Sequence, residues 1–90
     1  MAYRIEVTPR ALKDLKALPT RERQRVADQI DALKTNPRPQ NCEKLKGHED
    51  FYRIRAGDYR VVYRVEGKVL LILIVRIGDR KEIYEIIRRL

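Results

Sequence analysis

FYRIRAGDYRVVYRV, residues 51–65, decides the fold, because two alternating strand patterns here flank Gly57-Asp58. A two-residue loop that begins with glycine is typical of a tight β-hairpin with a type II′ turn. This turn predicts the register of both strands. It places Ala56 opposite Tyr59, and Arg55 directly opposite Arg60.

The alternation along these strands predicts two faces of different chemistry, because successive side chains of a strand point to opposite sides. We expect one face to be core: Tyr52, Ile54, Tyr59, Val61, Tyr63 and Val65. The other face carries arginines: Arg53, Arg55, Arg60 and Arg64. Like charges directly across a ladder are destabilising, so folding alone does not explain Arg55 opposite Arg60. We interpret Arg55 and Arg60 as the sides of an anion site, and the anion that we favour is a phosphate of RNA. We interpret Arg64 as a solvated strand residue.

Length and charge limit what this chain can be. Ninety residues form one small domain, and Lys plus Arg exceed Asp plus Glu by 21 to 13, for a net charge of +8. Such a surplus suits a polyanion or an acidic protein. Cys42 is the single cysteine and lies in a predicted polar loop, which indicates a reducing compartment. There is no apolar leader, and the apolar run 69–75 is too short to span a bilayer, so we expect a cytoplasmic protein without a membrane partner.

The chain before the hairpin predicts a strand over 3–7 and two helices. Thr8-Pro9 supplies an N-cap followed by a proline at the first helical position. The apolar stripe of the first helix is Ala11, Leu12, Leu15 and Leu18. Pro19-Thr20 ends this helix and can cap a second one, whose stripe is Val26, Ile30 and Leu33. Residues 35–42 contain two prolines among polar residues and predict a loop.

The chain after the hairpin predicts a further turn, a buried strand and a terminal helix. Glu66-Gly67 or Gly67-Lys68 forms the turn, and both choices leave the same residues on the same faces. Residues 69–75 are apolar on both sides, as in a central strand, and Gly78 ends this strand. The stripe over 80–90 is Ile83, Ile87 and Leu90, and on a helix Arg80 and Tyr84 share a face. The prediction is an α+β domain, β-α-α-β-β-β-α, with the helical hairpin packed on an antiparallel sheet.

Familiar catalytic motifs are absent from the sequence. It has one histidine, His48, which we interpret as an exposed loop residue, and it has no serine, no Gly-rich phosphate loop and no Cys/His cluster. Catalytic triads, P-loops and zinc sites are therefore unsupported. Arginine and tyrosine remain. Guanidinium groups bind phosphate bidentately and stabilise developing negative charge, and tyrosine can stack on a base.

Several short motifs together resemble the RelE family of bacterial toxins, within the wider RelE/ParE superfamily. They are Tyr3, Ala11-Leu12-Lys13, Lys44-Leu45-Lys46-Gly47, Tyr52-Arg53-Ile54-Arg55, Tyr59-Arg60-Val61-Val62-Tyr63, and Gly78-Asp79-Arg80 with Tyr84. The likeness runs from end to end and implies a single RelE-like toxin domain over 1–90. It further implies a ribosome-dependent endoribonuclease that cuts mRNA in the A site, uses no metal or small-molecule cofactor, and is held inactive by a cognate antitoxin.

The resemblance also implies roles for individual residues. The positions that correspond to the family's active site are Arg53, Arg55, Arg60, Arg80 and Tyr84, and the expected RNA contacts are Lys44, Lys46 and Lys81. In the implied reaction the ribose 2′-OH attacks the adjacent phosphate, cations hold the phosphorane, and the 5′-oxygen leaves. Well-known members carry lysines at the two positions on the first hairpin strand. Because arginine stays charged, the general base is left open, and Asp79 is expected to pair with Arg80.

Two other functions remain open. One is a toxin of the ParE type, which inhibits DNA gyrase and cuts nothing. The other is a catalytically inactive homologue that only binds its antitoxin. The hairpin arginines, together with Arg80 and Tyr84, favour RNA cleavage over both alternatives.

Overall fold

A mixed five-stranded sheet carries helices on both of its faces in the computed structural model, which describes residues 2–90. The elements in chain order are β1 (Arg4–Val7), α1 (Pro9–Lys16), α2 (Thr20–Ala32), β2 (Cys42–Lys44), β3 (Phe51–Ala56), β4 (Tyr59–Glu66), β5 (Leu71–Asp79) and α3 (Glu82–Arg88). The strand order is β1-β5-β4-β3-β2, with β1 parallel to β5 and every other pair antiparallel. The predicted α+β class is confirmed. No helix within this range is long and apolar enough to cross a membrane.

The hairpin of β3 and β4 has the predicted register. Ala56 pairs with Tyr59, and Arg55 pairs with Arg60. Gly57 has a φ of 65°, whereas Asp58 is not among the described residues with positive φ. A positive φ at the first central residue alone is the type II′ pattern, and glycine adopts it without steric cost.

The predicted core face is confirmed. Ile54, Val61, Tyr63 and Val65 are at most 1% exposed, and they pack against α1 and α2. The residues of the helical hairpin in this cluster are Ala11, Val26 and Ile30, together with Leu33 at the C-cap of α2. Tyr52 and Tyr59 pack against the same cluster at its border.

The opposite face of the sheet is covered only in part, by α3. Ile83 and Ile86 of this helix pack on Val62 and Leu45 and form a second, smaller cluster. This helix therefore covers only part of the face, and Arg55, next to the β3–β4 turn, is exposed on it.

A β-bulge in the pairing of β4 with β5 aligns the last strand. Val62 pairs with Arg76 but the next residue, Tyr63, pairs with Ile74, so Val75 is the extra residue. A bulge lets residues three apart face the same side, and both Ile74 and Ile77 lie in the larger core cluster.

Several local predictions are wrong at the edges of the fold. The predicted loop over 35–42 ends in a short strand, and Cys42 is the first residue of β2 and half-buried against the core. Polar residues in so short a strand give no periodic signal. Thr20 does not cap α2, because the cap position is Pro19 and no side chain bonds there.

Three apolar residues predicted to lie in stripes or strands are exposed instead. Leu12 is 41% exposed on α1, and Leu90, beyond the end of α3, is also 41% exposed. Val69 is 59% exposed because the turn occupies residues 67–70 and β5 starts only at Leu71. The strand also does not end at Gly78 as predicted, but continues to Asp79. The observed Glu66–Leu71 pairing keeps the parity of the predicted registers, so the assignment of faces near this turn survives.

Candidate active site

An open cavity of about 350 Å³ lies on the uncovered part of the sheet. Its charged and aromatic lining comes from Glu43 on β2, Arg53 and Arg55 on β3, Arg60 on β4 and Tyr84 on α3. A cavity of this size is within the range of small-molecule sites. Four of the five predicted catalytic residues therefore lie together, because the hairpin register and the docking of α3 bring three elements to one place.

Arg53 is held by two neighbours. It lies opposite Glu43 in the β2–β3 ladder, and its Nη2 is 2.9 Å from Glu43 Oε2. Its guanidinium carbon lies 5.5 Å from the centroid of the Tyr84 ring, within the range of a cation–π contact. The side chain is only 22% exposed. Arg53 is thus the most constrained and the most neutralised of the cavity cations.

Arg55 and Arg60 carry charge that no carboxylate of residues 2–90 neutralises. They face each other directly across the ladder. Arg60 Nη1 donates to the carbonyl oxygens of Gly57 and Tyr59, both at 3.0 Å, which holds its guanidinium near the turn. Arg25 of α2 lies beside the turn, since a Cβ built on Gly57 would lie 2.6 Å from its Nη1, but it does not line the cavity. This end of the cavity is suited to an anion.

Tyr84 is a surface residue and not a core aromatic. It is 60% exposed, whereas its neighbour Ile83 is 1% exposed. Burial of Ile83 and Ile86 against the sheet fixes the rotation of α3, and that rotation turns Tyr84 towards the cavity. The phenol ring is therefore available to a ligand while the helix stays docked.

The prediction that Arg80 and Tyr84 share a helical face is wrong. Arg80 precedes α3, which begins at Glu82. Its backbone N–H donates to the carbonyl oxygen of Asp58 at 2.9 Å, and its exposed side chain is not part of the cavity lining. A catalytic role for Arg80 remains a prediction.

Asp79 explains where the helix starts. Its Oδ1 accepts hydrogen bonds from the backbone N–H groups of Lys81 at 2.8 Å and Glu82 at 2.7 Å. Glu82 Oε1 accepts the N–H of Asp79 in return, at 3.0 Å. This reciprocal pattern resembles a capping box, but it lies in the turn before α3, whose N-cap position is Lys81. The backbone N–H of Glu82, and then that of Lys81, lower the pKa of Asp79. The expected ion pair of Asp79 with Arg80 is not among the ion pairs of residues 2–90. The Asp79 carboxylate accepts backbone hydrogen bonds from Lys81 and Glu82 instead.

Comparison with known proteins agrees with this fold. The model for the ParE toxin of the type II toxin–antitoxin system parDE matches residues 5–84. The chain therefore belongs to the RelE/ParE family of toxins. Within this family, the Methanocaldococcus jannaschii protein RelE1 is 38% identical over 88 residues, 94% of this chain and 98% of that protein. The mRNA interferase toxin RelE of Escherichia coli K12 is 30% identical over 95 aligned positions, 100% of this chain and 99% of that protein. The RelE of an archaeal RelE–RelB complex from Pyrococcus horikoshii superposes with a TM-score of 0.80 at 35% identity, over 90% of this chain and 98% of that one.

The three lysines that the family resemblance suggested as RNA contacts do not join the arginine cavity. Lys44 pairs with Tyr52, so the alternation of β2 places it on the opposite face from Glu43 and Arg53. Lys46 is exposed beside a separate, shallow cavity formed by residues 44–49. Lys81 is exposed in the turn before α3. Their contact with RNA remains a prediction.

His48 also lies apart from the arginines. It borders the shallow cavity of residues 44–49, and its ring packs edge-on against Phe51 with centroids 6.0 Å apart. Within residues 2–90, no three His, Cys, Asp or Glu side chains come together as a metal site would require.

Glu43 is the residue of this cavity that sequence reasoning missed. Glu43 follows the predicted loop over 35–42, and no strand was predicted there. Without a strand, no register places a carboxylate beside Arg53. Pairing of β2 with β3 supplies that register. The residues before Leu45 form too short a run to show the alternation that predicts a strand.

Proposed function

We propose that this chain is the toxin of a type II toxin–antitoxin system and a metal-independent, ribosome-dependent endoribonuclease that cuts mRNA in the A site and so inhibits translation. The observation that carries the proposal is the Arg55–Arg60 pair, which faces a cavity without a carboxylate partner of its own. The name of the E. coli relative, an mRNA interferase, supports the same reaction class.

The arginines suit the charge that develops when a ribose 2′-OH attacks the adjacent phosphate. The phosphorane gathers negative charge on its non-bridging oxygens, and guanidinium groups can bind two such oxygens at once. Arg55 and Arg60 are placed to do this together. One preorganised donor of this kind contributes about 10²–10³ in rate. Both groups stay protonated, so they supply positive charge and do not accept the proton of the 2′-OH.

Tyr84 is suited to hold a base of the message. Base–aromatic stacking contributes about 1–3 kcal/mol per base, and the Tyr84 ring is 60% exposed. Arg53 lies over the ring at 5.5 Å and steadies it. We assign Arg80, Lys44, Lys46 and Lys81 to contacts with phosphates outside the cavity, which strengthen binding without reading sequence.

The partners that we propose follow from charge and from the family. The P. horikoshii relative was solved as a RelE–RelB complex, so we propose a cognate antitoxin for this chain. A net charge of +8 favours an acidic partner. We propose that residues 1–90 act as one domain, and that they act in the cytoplasm, where ribosomes translate messages.

Purified ribosomes programmed with a defined message test the proposal. Addition of this protein should produce new 5′ ends at codons in the A site, and Arg60→Ala should reduce the cleavage rate by about 10²–10³. The matched control is Arg64→Ala. Arg64 lies on the same face of the same strand, but it sits over Phe51 and pairs with Glu66, so its loss should leave cleavage unchanged.

Two results would contradict the proposal. Intact message together with inhibited supercoiling by DNA gyrase would support the ParE-type function, which the description of the matching family model favours. Intact message, active gyrase and tight antitoxin binding would indicate an inactive homologue.

A further inference from the structure

One carboxylate lies among the cations of the arginine cavity. Of the described residues that line it, Glu43 is the one with an acidic side chain, and no histidine lines it. Glu43 comes from β2, and its register opposite Arg53 turns it to the arginine face. The other charged or titratable residues that line the cavity are Cys42 on β2, Arg53 and Arg55 on β3, Arg60 on β4 and Tyr84 on α3.

The contact with Arg53 holds Glu43 in place and leaves acceptor sites of its carboxylate free. One carboxylate oxygen, Oε2, is 2.9 Å from Arg53 Nη2. A carboxylate has two oxygens and about four acceptor sites, so it can accept a further proton or hydrogen bond. The Glu43 side chain is 67% exposed, and a substrate can reach it.

The other groups of the cavity are poor proton acceptors at neutral pH. Guanidinium groups have no acceptor and stay charged. Phenols and thiols are ordinarily poor bases at neutral pH, and Cys42 packs towards the core. A glutamate is ordinarily ionised and can accept a proton.

We infer that Glu43 is the general base of the cleavage reaction, an inference that rests on the proposed function. The 2′-OH proton passes to a Glu43 carboxylate oxygen while the 2′-oxygen forms its bond to phosphorus. The bond from phosphorus to the 5′-oxygen breaks, and its electron pair stays on that oxygen, which takes a proton from water. The hydroxide so formed removes the proton from Glu43. The products are a 2′,3′-cyclic phosphate and a 5′-hydroxyl, and no water is consumed.

The pH dependence of single-turnover cleavage on purified ribosomes tests this role. Between about pH 6 and about pH 9 a free carboxylate stays ionised, so we expect the wild-type rate to change little. Glu43→Gln keeps the shape of the side chain and removes its basicity. We expect its cleavage rate at neutral pH to be about 10²–10⁴-fold lower than that of the wild type. As the pH is raised, this rate should increase about tenfold per pH unit, because hydroxide must replace the carboxylate as the base.

Two further variants make the result specific. Glu66→Gln is the matched control, because Glu66 also pairs with an arginine, Arg64, but lies outside the cavity. Its rate and pH profile should match those of the wild type. Glu43→Asp keeps a carboxylate, so we expect a lower rate with the flat wild-type profile. Thermal unfolding of each variant checks that it is folded. If Glu43→Gln does not fold, the cleavage rates and pH profiles of Glu43→Asp and the wild type are compared instead.

The outcomes separate the inference from the proposed function. A Glu43→Gln rate that falls but stays independent of pH would mean that Glu43 only positions Arg53, and it would overturn the inference. A variant that cleaves like the wild type would overturn it too. If the wild type itself leaves the message intact, the proposed function fails and the inference fails with it.

Discussion

Replacing Arg55 by threonine should make this protein more stable while it abolishes most of its activity. Arg55 lies directly opposite Arg60, and neither has an ion-pair partner within residues 2–90. Removing one of two directly opposed like charges should gain about 0.2–1 kcal/mol. At about 4–8 °C per kcal/mol for a domain of this size, the melting temperature should rise by about 1–8 °C. Threonine favours strands, and the bond from Asn41 Nδ2 to the Arg55 carbonyl oxygen, 3.1 Å, does not involve the side chain.

Thermal unfolding followed by circular dichroism at low and high salt measures the gain. At about 1 M salt the Debye length falls to about 3 Å, so most of the stability difference between variant and wild type should disappear. Cleavage of message on ribosomes should fall by about 10²–10³, because one donor to the developing phosphorane is lost.

Arg64→Thr provides the matched control for this experiment. Arg64 Nε is 3.6 Å from Glu66 Oε1, and its guanidinium lies 5.9 Å from the centroid of the Phe51 ring. Its removal should therefore give no gain in stability and no loss of cleavage. The reasoning is refuted if Arg55→Thr lowers the melting temperature, or if its gain is equal at both salt concentrations. Either result would mean that repulsion between Arg55 and Arg60 does not strain the hairpin.

Three further variants test the scaffold. Gly57→Ala places a side chain at φ 65°, so the urea midpoint should fall by the equivalent of about 1–2 kcal/mol and cleavage should fall with it; an unchanged midpoint would contradict the assigned turn. Thr8→Ala removes the cap in which Thr8 Oγ1 accepts the N–H of Ala11 at 3.1 Å, which should cost about 0.5–2 kcal/mol, and Thr8→Ser should restore most of this. Tyr63→Phe removes a 2.7 Å hydrogen bond to the Pro37 carbonyl oxygen and should cost about 0.5–1.5 kcal/mol. Burial raises the pKa of Tyr63 above its ordinary 10.0. The stability that the protonated, buried Tyr63 hydroxyl contributes is therefore complete below pH 10.0 and is lost as the pH rises further. The wild type should therefore lose more stability above pH 10.0 than Tyr63→Phe does.

The hairpin illustrates why part of the site could be predicted. A glycine-first turn sets register locally, and a period of two sets the faces. The opposition of Arg55 and Arg60 follows from these two rules alone, and so does the buried face that contains Val61 and Tyr63. The N-cap at Thr8 is equally local, and it is confirmed.

Arg80 illustrates a prediction that local rules could not make correctly. Four-residue spacing suggested a shared helical face with Tyr84, but α3 starts at Glu82, after a turn in which the side chains of Asp79 and Glu82 bond to each other's backbone. Two nearby helix starts were compatible with the sequence. The contacts of the chain around Asp58 and the docking of Ile83 select one of them.

The sequence by itself determined the hairpin, its two faces, the arginines on one of them and the α+β class, because turn chemistry and side-chain alternation act over a few residues. Only the tertiary structure decided which groups join those arginines. It placed Glu43 beside Arg53 and Tyr84 below it, and it left Lys44 on the other face. The physical reason is that β2 is a strand only through its backbone hydrogen bonds to β3, and α3 takes its rotation from apolar contacts with the sheet. The spacing of residues along the sequence predicts neither the pairing of β2 with β3 nor the rotation of α3.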